Sequence, residues 1–238
     1  MGNRKIRNNA MENMHYGNVD FYYEFIYDKL DTGRDSLISR WLIHRQVETI
    51  EEKTEDKIRL ELGGGGAQHL KYLYKRNNKK YKSYIASDIN FNSLKKYEIN
   101  YGSNLSLMQI DAEELPFKDK SIDEIIGTCF IAHLKDPEKA LIEMARVLKN
   151  GGKCNFIIPI EPSFLMNTVR KIYQAPQARK FDFEGYELMI AREHRYNWQY
   201  LVRITRHTFR HYKVKVKFVP FLIHLGNFNL SIVIKVSK

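Results

Sequence analysis

Ile58-Arg59-Leu60-Glu61-Leu62-Gly63-Gly64-Gly65-Gly66-Ala67 joins a short β-rich apolar run to four consecutive glycines, and helical spacing follows through Leu70, Leu73 and Tyr74. A strand that runs through glycines into a helix is a place where a backbone without Cβ atoms lets a ligand approach closely. The dinucleotide spacing G-x-G-x-x-G fails here in both registers, because its last position falls on Gln68 or on His69. The spacing that fits is E-x-G-x-G-x-A, on Glu61, Gly63, Gly65 and Ala67.

Downstream of this loop, β-rich runs alternate with helical segments, the pattern of a mainly parallel sheet covered on both faces. Strands are expected at Tyr84 to Ser87, ending at Asp88; at Leu105 to Ile110, ending at Asp111; at Ile122 to Cys129; and at Lys153 to Pro159. Helices are expected from Ser93 to Ile99 and from Pro137 to Leu148, the second with proline at its start and Gly151-Gly152 just past its end. The rhythm then breaks over Ile160 to Tyr212, a stretch rich in aromatic and basic residues and longer than a usual connection. Lys213 to Phe218 and Asn229 to Val236 alternate apolar and polar residues around a polar linker, which reads as a terminal antiparallel hairpin.

Upstream, residues 1 to 18 are polar without a sustained period. Phe21, Phe25, Leu30, Leu37, Trp41 and Leu42 then recur at helical spacing around Asp31-Thr32-Gly33. The expected organisation is an N-terminal arm and helical lid over 1–55 and one α/β domain over 56–238, with an acceptor-side insertion at 160–212. The fold class expected is α/β: a Rossmann-like, seven-stranded, mainly parallel sheet with helices on both faces and an antiparallel C-terminal hairpin.

With 43% hydrophobic and 28% charged residues among 238, the chain has globular composition and length enough for one such domain. Met1 to Lys5 lead into polar residues and not into an apolar leader, and no run approaches the roughly 20 apolar residues of a membrane helix, so a cytoplasmic protein without a membrane span is expected. Ile6 stands where N-myristoylation wants Ser or Thr. Cys129 and Cys154 have neither metal-ligand nor disulfide spacing and read as small core residues. The formal charge of +11 fits either an anionic partner or a generic lysine-rich surface.

Several motifs now stand in order. Glu61 to Ala67 is the first, and Asp88 the second. Asp111-Ala112-Glu113-Glu114-Leu115-Pro116-Phe117 is the third. Ser121 to Ile126 with His133 to Leu141, and Glu143 to Gly152, complete the series. Over Ile58 to Pro159 the chain resembles the class I S-adenosylmethionine (SAM)-dependent methyltransferases of the methyltransferase-11 or UbiE-like superfamily. It departs in having Ala67 for a third glycine and Asn150 where proline is common. The resemblance implies SAM as cofactor, without metal, held by Glu61, Gly63, Gly64, Gly65, Ala67, Asp88, Ile89, Asp111, Ala112, Glu113 and Thr128. Asp88 would meet ribose hydroxyls and Asp111 or its neighbour the adenine amino group; strand-end capping is the structural alternative for both.

Methyl transfer from a sulfonium is an in-line displacement that asks mainly for alignment and exclusion of water. His133, just after the fourth strand at the edge where such sheets place ligands, is the candidate general base, with loop orientation as its alternative. Tyr22, Tyr23, Glu161, Arg192 and His194, with Glu193 and Arg195 beside them, are candidates for a polar or anionic acceptor. Tyr186, Trp198 and Tyr200 either stack on an acceptor or pack in the core.

By analogy with methyltransferases of bacterial surface-polysaccharide and nucleotide-sugar pathways, the expected acceptor is a hydroxyl or amine of a sugar, nucleotide-sugar or phosphorylated glycan precursor. An RNA methyltransferase is the alternative, motivated by Arg192 to Lys217 with its interleaved aromatics. Against it, Thr128-Cys129-Phe130-Ile131 stands where an amino-methylating Asn/Asp-Pro-Pro-aromatic signature would lie. A non-catalytic SAM-fold binding protein is the further alternative. The oligomeric state is left open.

Overall fold

The structure is a computed structural model describing residues 44–47, 54–65, 69–70, 81–94, 104–161, 163–180, 186–193, 195–221, 223–225 and 228–237. Seven strands form one sheet: β1 (Ile58–Leu62), β2 (Ser83–Asp88), β3 (Leu105–Gln109), β4 (Ile122–Thr128), β5 (Leu148–Pro159), β6 (Lys213–Val219) and β7 (Ser231–Ser237). Their spatial order is β3-β2-β1-β4-β5-β7-β6. The first five pair in parallel, whereas β7 runs antiparallel to both neighbours and lies between β5 and β6. The expected hairpin is therefore present, with its second strand on the inside and Lys-rich β6 at the sheet edge.

The interior strands are buried along nearly their whole length because both faces are covered, as parallel sheets require. One face carries Leu60, Leu62, Ile125, Phe156, Ile158 and Ile234, all buried. They pack beneath α3 (Pro137–Val147), which offers Ala140, Leu141, Met144 and Val147, and α7 (Trp198–Thr208), which offers Leu201 and Val202. On the other face Leu70 and Leu94 pack against Tyr84, Ala86 and Ile126. Leu94 ends α2 (Phe91–Leu94), a single turn.

On that second face β1 also carries a buried charge. Arg59 is fully buried, donates from Nε to Glu124 Oε2 at 2.8 Å, and stacks its guanidinium 4.3 Å from the Tyr81 ring centroid. Each ion alone would carry a desolvation penalty of several kcal/mol, which only the pairing offsets.

Two expectations about the chain's punctuation are altered. The helix begins as read: Asp136 caps it, accepting from the Lys139 N–H at 3.0 Å, with Pro137 first. It ends at Val147, one residue early, because Leu148 is already extended and pairs with Ile122 at the start of β5. The next pair in register is Glu124 with Lys153, so residues 149–152 bulge out of the ladder. Gly151, at φ +83°, serves that bulge and not the helix cap.

The long insertion also shrinks. Its last quarter is α7, whose buried residues belong to the main core, leaving α4 (Phe164–Val169), a π-helical stretch Arg170–Gln174, α5 (Ala175–Lys180) and α6 (Tyr186–Glu193) as the added part. Of the N-terminal region, the turn α1 (Arg45–Val47) packs against β4, β5 and β7, with Asn155 Nδ2 donating to the Val47 carbonyl at 3.0 Å. It covers the sheet face. The rest of the expected arm and lid lies outside the described residues, save His44, buried beside His69, and Thr54 and Glu55 just before β1.

Candidate functional site

At the carboxyl end of β1 the chain turns through two left-handed glycines, Gly63 at φ +65° and Gly65 at φ +51°. Their reasons differ. A Cβ on Gly63 would lie 2.4 Å from Phe130 Cβ, and one on Gly127 2.2 Å from the Phe130 ring, so Phe130 is seated between two glycines and holds the loop against β4. A Cβ on Gly65 would meet nothing within 4 Å. Gly65 is thus the position that faces open space, the approach a ligand would use. Ala67 lies outside the described residues.

The loop is tied to β2. Gly64 N–H donates to the Ser87 carbonyl at 2.9 Å, and Gly65 N–H donates to Asp88 Oδ2 at 2.9 Å. The other oxygen of Asp88 accepts from Asn90 N–H at 2.8 Å. Each carboxylate oxygen keeps a second lone pair, so this side chain can still accept from a vicinal diol while it braces the loop. Burial pushes the Asp88 carboxyl above its ordinary value of 3.8, against the opposing pull of the Asn90, Gly65 and Ile89 backbone N–H groups. Beside it Ile89 is 65% exposed, an apolar surface next to the carboxylate.

Glu61 is buried under the loop, where Tyr84 donates to its Oε2 at 2.6 Å. The register sets this up by pairing Glu61 with Ala86, which brings Tyr84 to the same sheet face two residues away. Asp111 is exposed at the end of β3 and accepts the Glu113 N–H on Oδ1 at 2.9 Å, an Asx turn. Ala112 is buried. Glu113 reaches across to the loop before α3, where its Oε1 accepts from both Lys135 N–H and Asp136 N–H at 2.9 Å.

On the other side of the sheet's carboxyl edge, Thr128 ends β4, half-buried and paired with Ile157. Cys129 follows at φ +60°, a strained value for a residue with a side chain. It is partly buried and packs at the margin of the cluster formed by Val47, Ile157, Val219 and Val233. Desolvation, reinforced by the nearby Glu161 carboxylate, pushes its thiol up to about 12, which keeps it neutral at physiological pH. His133 closes a 3-10 turn after Phe130, half-buried, its N–H donating to the Phe130 carbonyl at 3.0 Å and its Nδ1 enclosed.

The predicted acceptor residues are brought together only in part. Glu161, at the end of β5, is ion-paired with Arg170 in the π-helical stretch, both side chains 12% exposed. Arg192 is exposed at the end of α6 and Arg195 is exposed after it. Tyr22, Tyr23 and His194 lie outside the described residues, and nothing is described of the side chains of Tyr186 and Glu193. Trp198 packs edge-on against Phe218, ring centroids 5.6 Å apart. Tyr200 stacks on Tyr196 and donates to Glu138 Oε1 on α3 at 2.7 Å, which pushes its phenol up to about 12. Both aromatics therefore join α7 to its surroundings. Among the described residues no cluster of His, Cys, Asp and Glu is placed to hold a metal ion.

Sequence reading missed Arg170, Tyr84 and Phe130. The partners of Arg170 and Tyr84 are named only by folded geometry, since nothing in the spacing ties residue 170 to 161 or 84 to 61. Phe130 left a fainter trace: an aromatic needs room, and Gly63 and Gly127 supply it.

Residues 60–156 match the methyltransferase domain family. The chain is 29% identical over 176 residues to the ubiquinone/menaquinone biosynthesis C-methyltransferase UbiE of Wigglesworthia glossinidia brevipalpis, covering 71% of this chain and 67% of that one. To the UbiE of Xylella fastidiosa strain 9a5c it is 29% identical over 147 residues, covering 60% and 56%, so the chain spans little more than half of that relative's length. Among solved structures it superimposes on a SAM-dependent methyltransferase from Thermotoga maritima, described as a possible histamine N-methyltransferase. The TM-score is 0.62 at 18% identity, covering 91% of this chain and 98% of that one, a likeness of fold.

Proposed function

The chain belongs to the class I SAM-dependent methyltransferases, and from that premise we propose that it methylates a nucleophilic carbon of a small, largely apolar ring acceptor. The observation that carries the cofactor half is the Gly65–Asp88 junction: a left-handed glycine with open space before it, hydrogen-bonded to a carboxylate that retains acceptor capacity. Gly63, Gly64 and Gly65 would cradle the amino-acid end of SAM, Asp88 the ribose, and Ile89, Asp111 and Ala112 the adenine. Glu61, Thr128 and Glu113 would support the cradle from beneath and beside it. When bound, SAM supplies a methyl group on a positively charged sulfur.

The acceptor half rests on what surrounds the same edge. Phe164 on α4 and Phe221, Ile223, Leu225 and Phe228 between β6 and β7 are exposed on segments that leave or re-enter the carboxyl end of β5. An apolar rim suits a ring acceptor better than a carbohydrate. The C-methyltransferase activity of the UbiE relatives points the same way.

His133 would take the acceptor's hydroxyl proton. Its Nδ1 is enclosed, which leaves Nε2 as the nitrogen that exchanges with an acceptor. Removing that proton makes the neighbouring ring carbon electron-rich enough to attack a methyl group, and the ring hydrogen leaves afterward to restore aromaticity. Cys129 holds its proton and takes no part as a nucleophile. Glu161 and Arg170 would fix the acceptor's position.

A sugar, nucleotide-sugar or phosphorylated glycan acceptor is the second reading, favoured by the net charge of +11. Transfer of labelled methyl from SAM to demethylated quinol analogues, run beside nucleotide-sugars, separates the two. Carbon-bound label on the quinol is expected; label only on sugar oxygen overturns the carbon reading. In the same assay His133→Ala should lower turnover roughly 100-fold or more, and full turnover across about pH 6 to 9 would remove the base role.

A further inference from the structure

No aspartate or glutamate follows Glu193, whereas nine lysines and arginines do, so the last 45 residues hold nine of the eleven net positive charges. Six of them flank edge strand β6. On edge strand β6, Lys213, Lys215 and Lys217 are exposed and alternate with Val214, Val216 and Phe218, which pack on the core. On α7, which packs over the opposite face of that strand against Val214, Val216 and Phe218, Arg203 and Arg206 are exposed, with Arg210 just beyond its end.

At the end of β6, beside the carboxyl edge that carries the cofactor cradle, the β6–β7 connection turns four apolar side chains outward. Phe221, Ile223, Leu225 and Phe228 are 46%, 66%, 41% and 59% exposed. The connection is held in that shape. Asn229, fully buried, accepts the Leu225 N–H at 2.8 Å on its side-chain oxygen and donates to the Phe221 carbonyl at 3.1 Å, while His224 stacks on Phe218 and Trp198. A loop tied by its own hydrogen bonds keeps these side chains out of the core and in water, at a cost of roughly 25 cal/mol for each Å² of apolar surface not buried.

We propose that this end of the molecule is a docking surface for an anionic lipid bilayer, with the β6–β7 loop inserted at the level of the headgroups and the lysines of β6 against the lipid phosphates. Basic charge alone suits RNA equally well. The apolar set decides: Ile223 and Leu225 have no π-face on which a base stacks, whereas aliphatic side chains beside cations are what an interfacial segment buries. The orientation would also turn the acceptor side of the cradle toward the membrane.

Co-sedimentation of the full chain with vesicles tests this. Vesicles of phosphatidylcholine with about 30% phosphatidylglycerol should pull the protein down, pure phosphatidylcholine far less, and added salt should release it. Lys213→Gln with Lys215→Gln and Lys217→Gln should lower the partition coefficient roughly 100-fold. Ile223→Asn with Phe228→Asn, which leave the net charge unchanged, should lower it about tenfold or more. All five substitutions are at exposed positions, and unchanged melting temperature and S-adenosylhomocysteine affinity would show that each variant is folded. Equal capture by neutral and anionic vesicles, capture of polyuridine without vesicles, or full vesicle binding by either variant would overturn the proposal. Such a failure, with S-adenosylhomocysteine still bound, leaves the methyltransferase assignment standing.

Discussion

The two ends of the sheet are built on different terms. Around β1 and β2 the polar groups are buried and directly bonded to one another: Arg59 to Glu124, Tyr84 to Glu61, Asp88 to the backbone of Gly65 and Asn90. Around α7 the polar ties between elements, such as Tyr200 to Glu138 and Tyr196 to the Lys135 carbonyl, lie at the surface. A cofactor common to a whole family asks for a rigid, repeatable cradle. Under the proposed function, the acceptor would be met by segments added at the other end, on exposed surface that can change without disturbing the core.

If that contrast is real, equivalent deletions should have unequal effects. The largest is expected at Glu124→Ala, which strands a fully buried guanidinium. Urea unfolding should show a loss of about 3–5 kcal/mol, and a loss below about 1 kcal/mol would mean that water reaches Arg59. Tyr84→Phe removes a buried hydrogen bond to a carboxylate and should lower stability by about 1.5–3 kcal/mol with the same readout. At the acceptor end, Tyr200→Phe removes an interaction of the same type, also to a carboxylate, but in solvent, and is expected to change stability by less than about 0.5 kcal/mol. Equal losses for the two tyrosines would erase the distinction between the ends.

Much of the first end could be read before folding was known. The glycine loop, Asp88 and Asp111 are local signals, each set by a few neighbouring residues and by the alternation of strands with helices. Even so, the reasons were only partly legible. Gly63 reads as room for a ligand, and the structure gives that room to Phe130, 67 residues later in the chain. Gly151 reads as a helix cap and serves a bulge, because the cap position went to an extended Leu148 that pairs with Ile122.

The second end resists such reading. Trp198 and Tyr200 look alike whether they face an acceptor or join α7 to its neighbours. The break in rhythm after Pro159 hides the fact that its last quarter is an ordinary core helix. Glu161 was singled out as an acidic residue at a strand end, but its partner Arg170 stands on a π-helical stretch that no simple period announces.

The central claim concerns Asp88. Its carboxyl is held above the ordinary value by burial, so the charged form that would accept ribose hydroxyls is lost at a higher pH than for an exposed aspartate. Isothermal titration of the full chain with S-adenosylhomocysteine, at neutral pH and after stepwise acidification, tests this directly. Saturable one-to-one binding is predicted, weakening as pH falls through that raised value, and reduced by roughly 10- to 150-fold at neutral pH in Asp88→Ala, whose remaining affinity should lose this pH dependence. Absence of binding by the unaltered protein, or identical affinity in Asp88→Ala, would contradict the account.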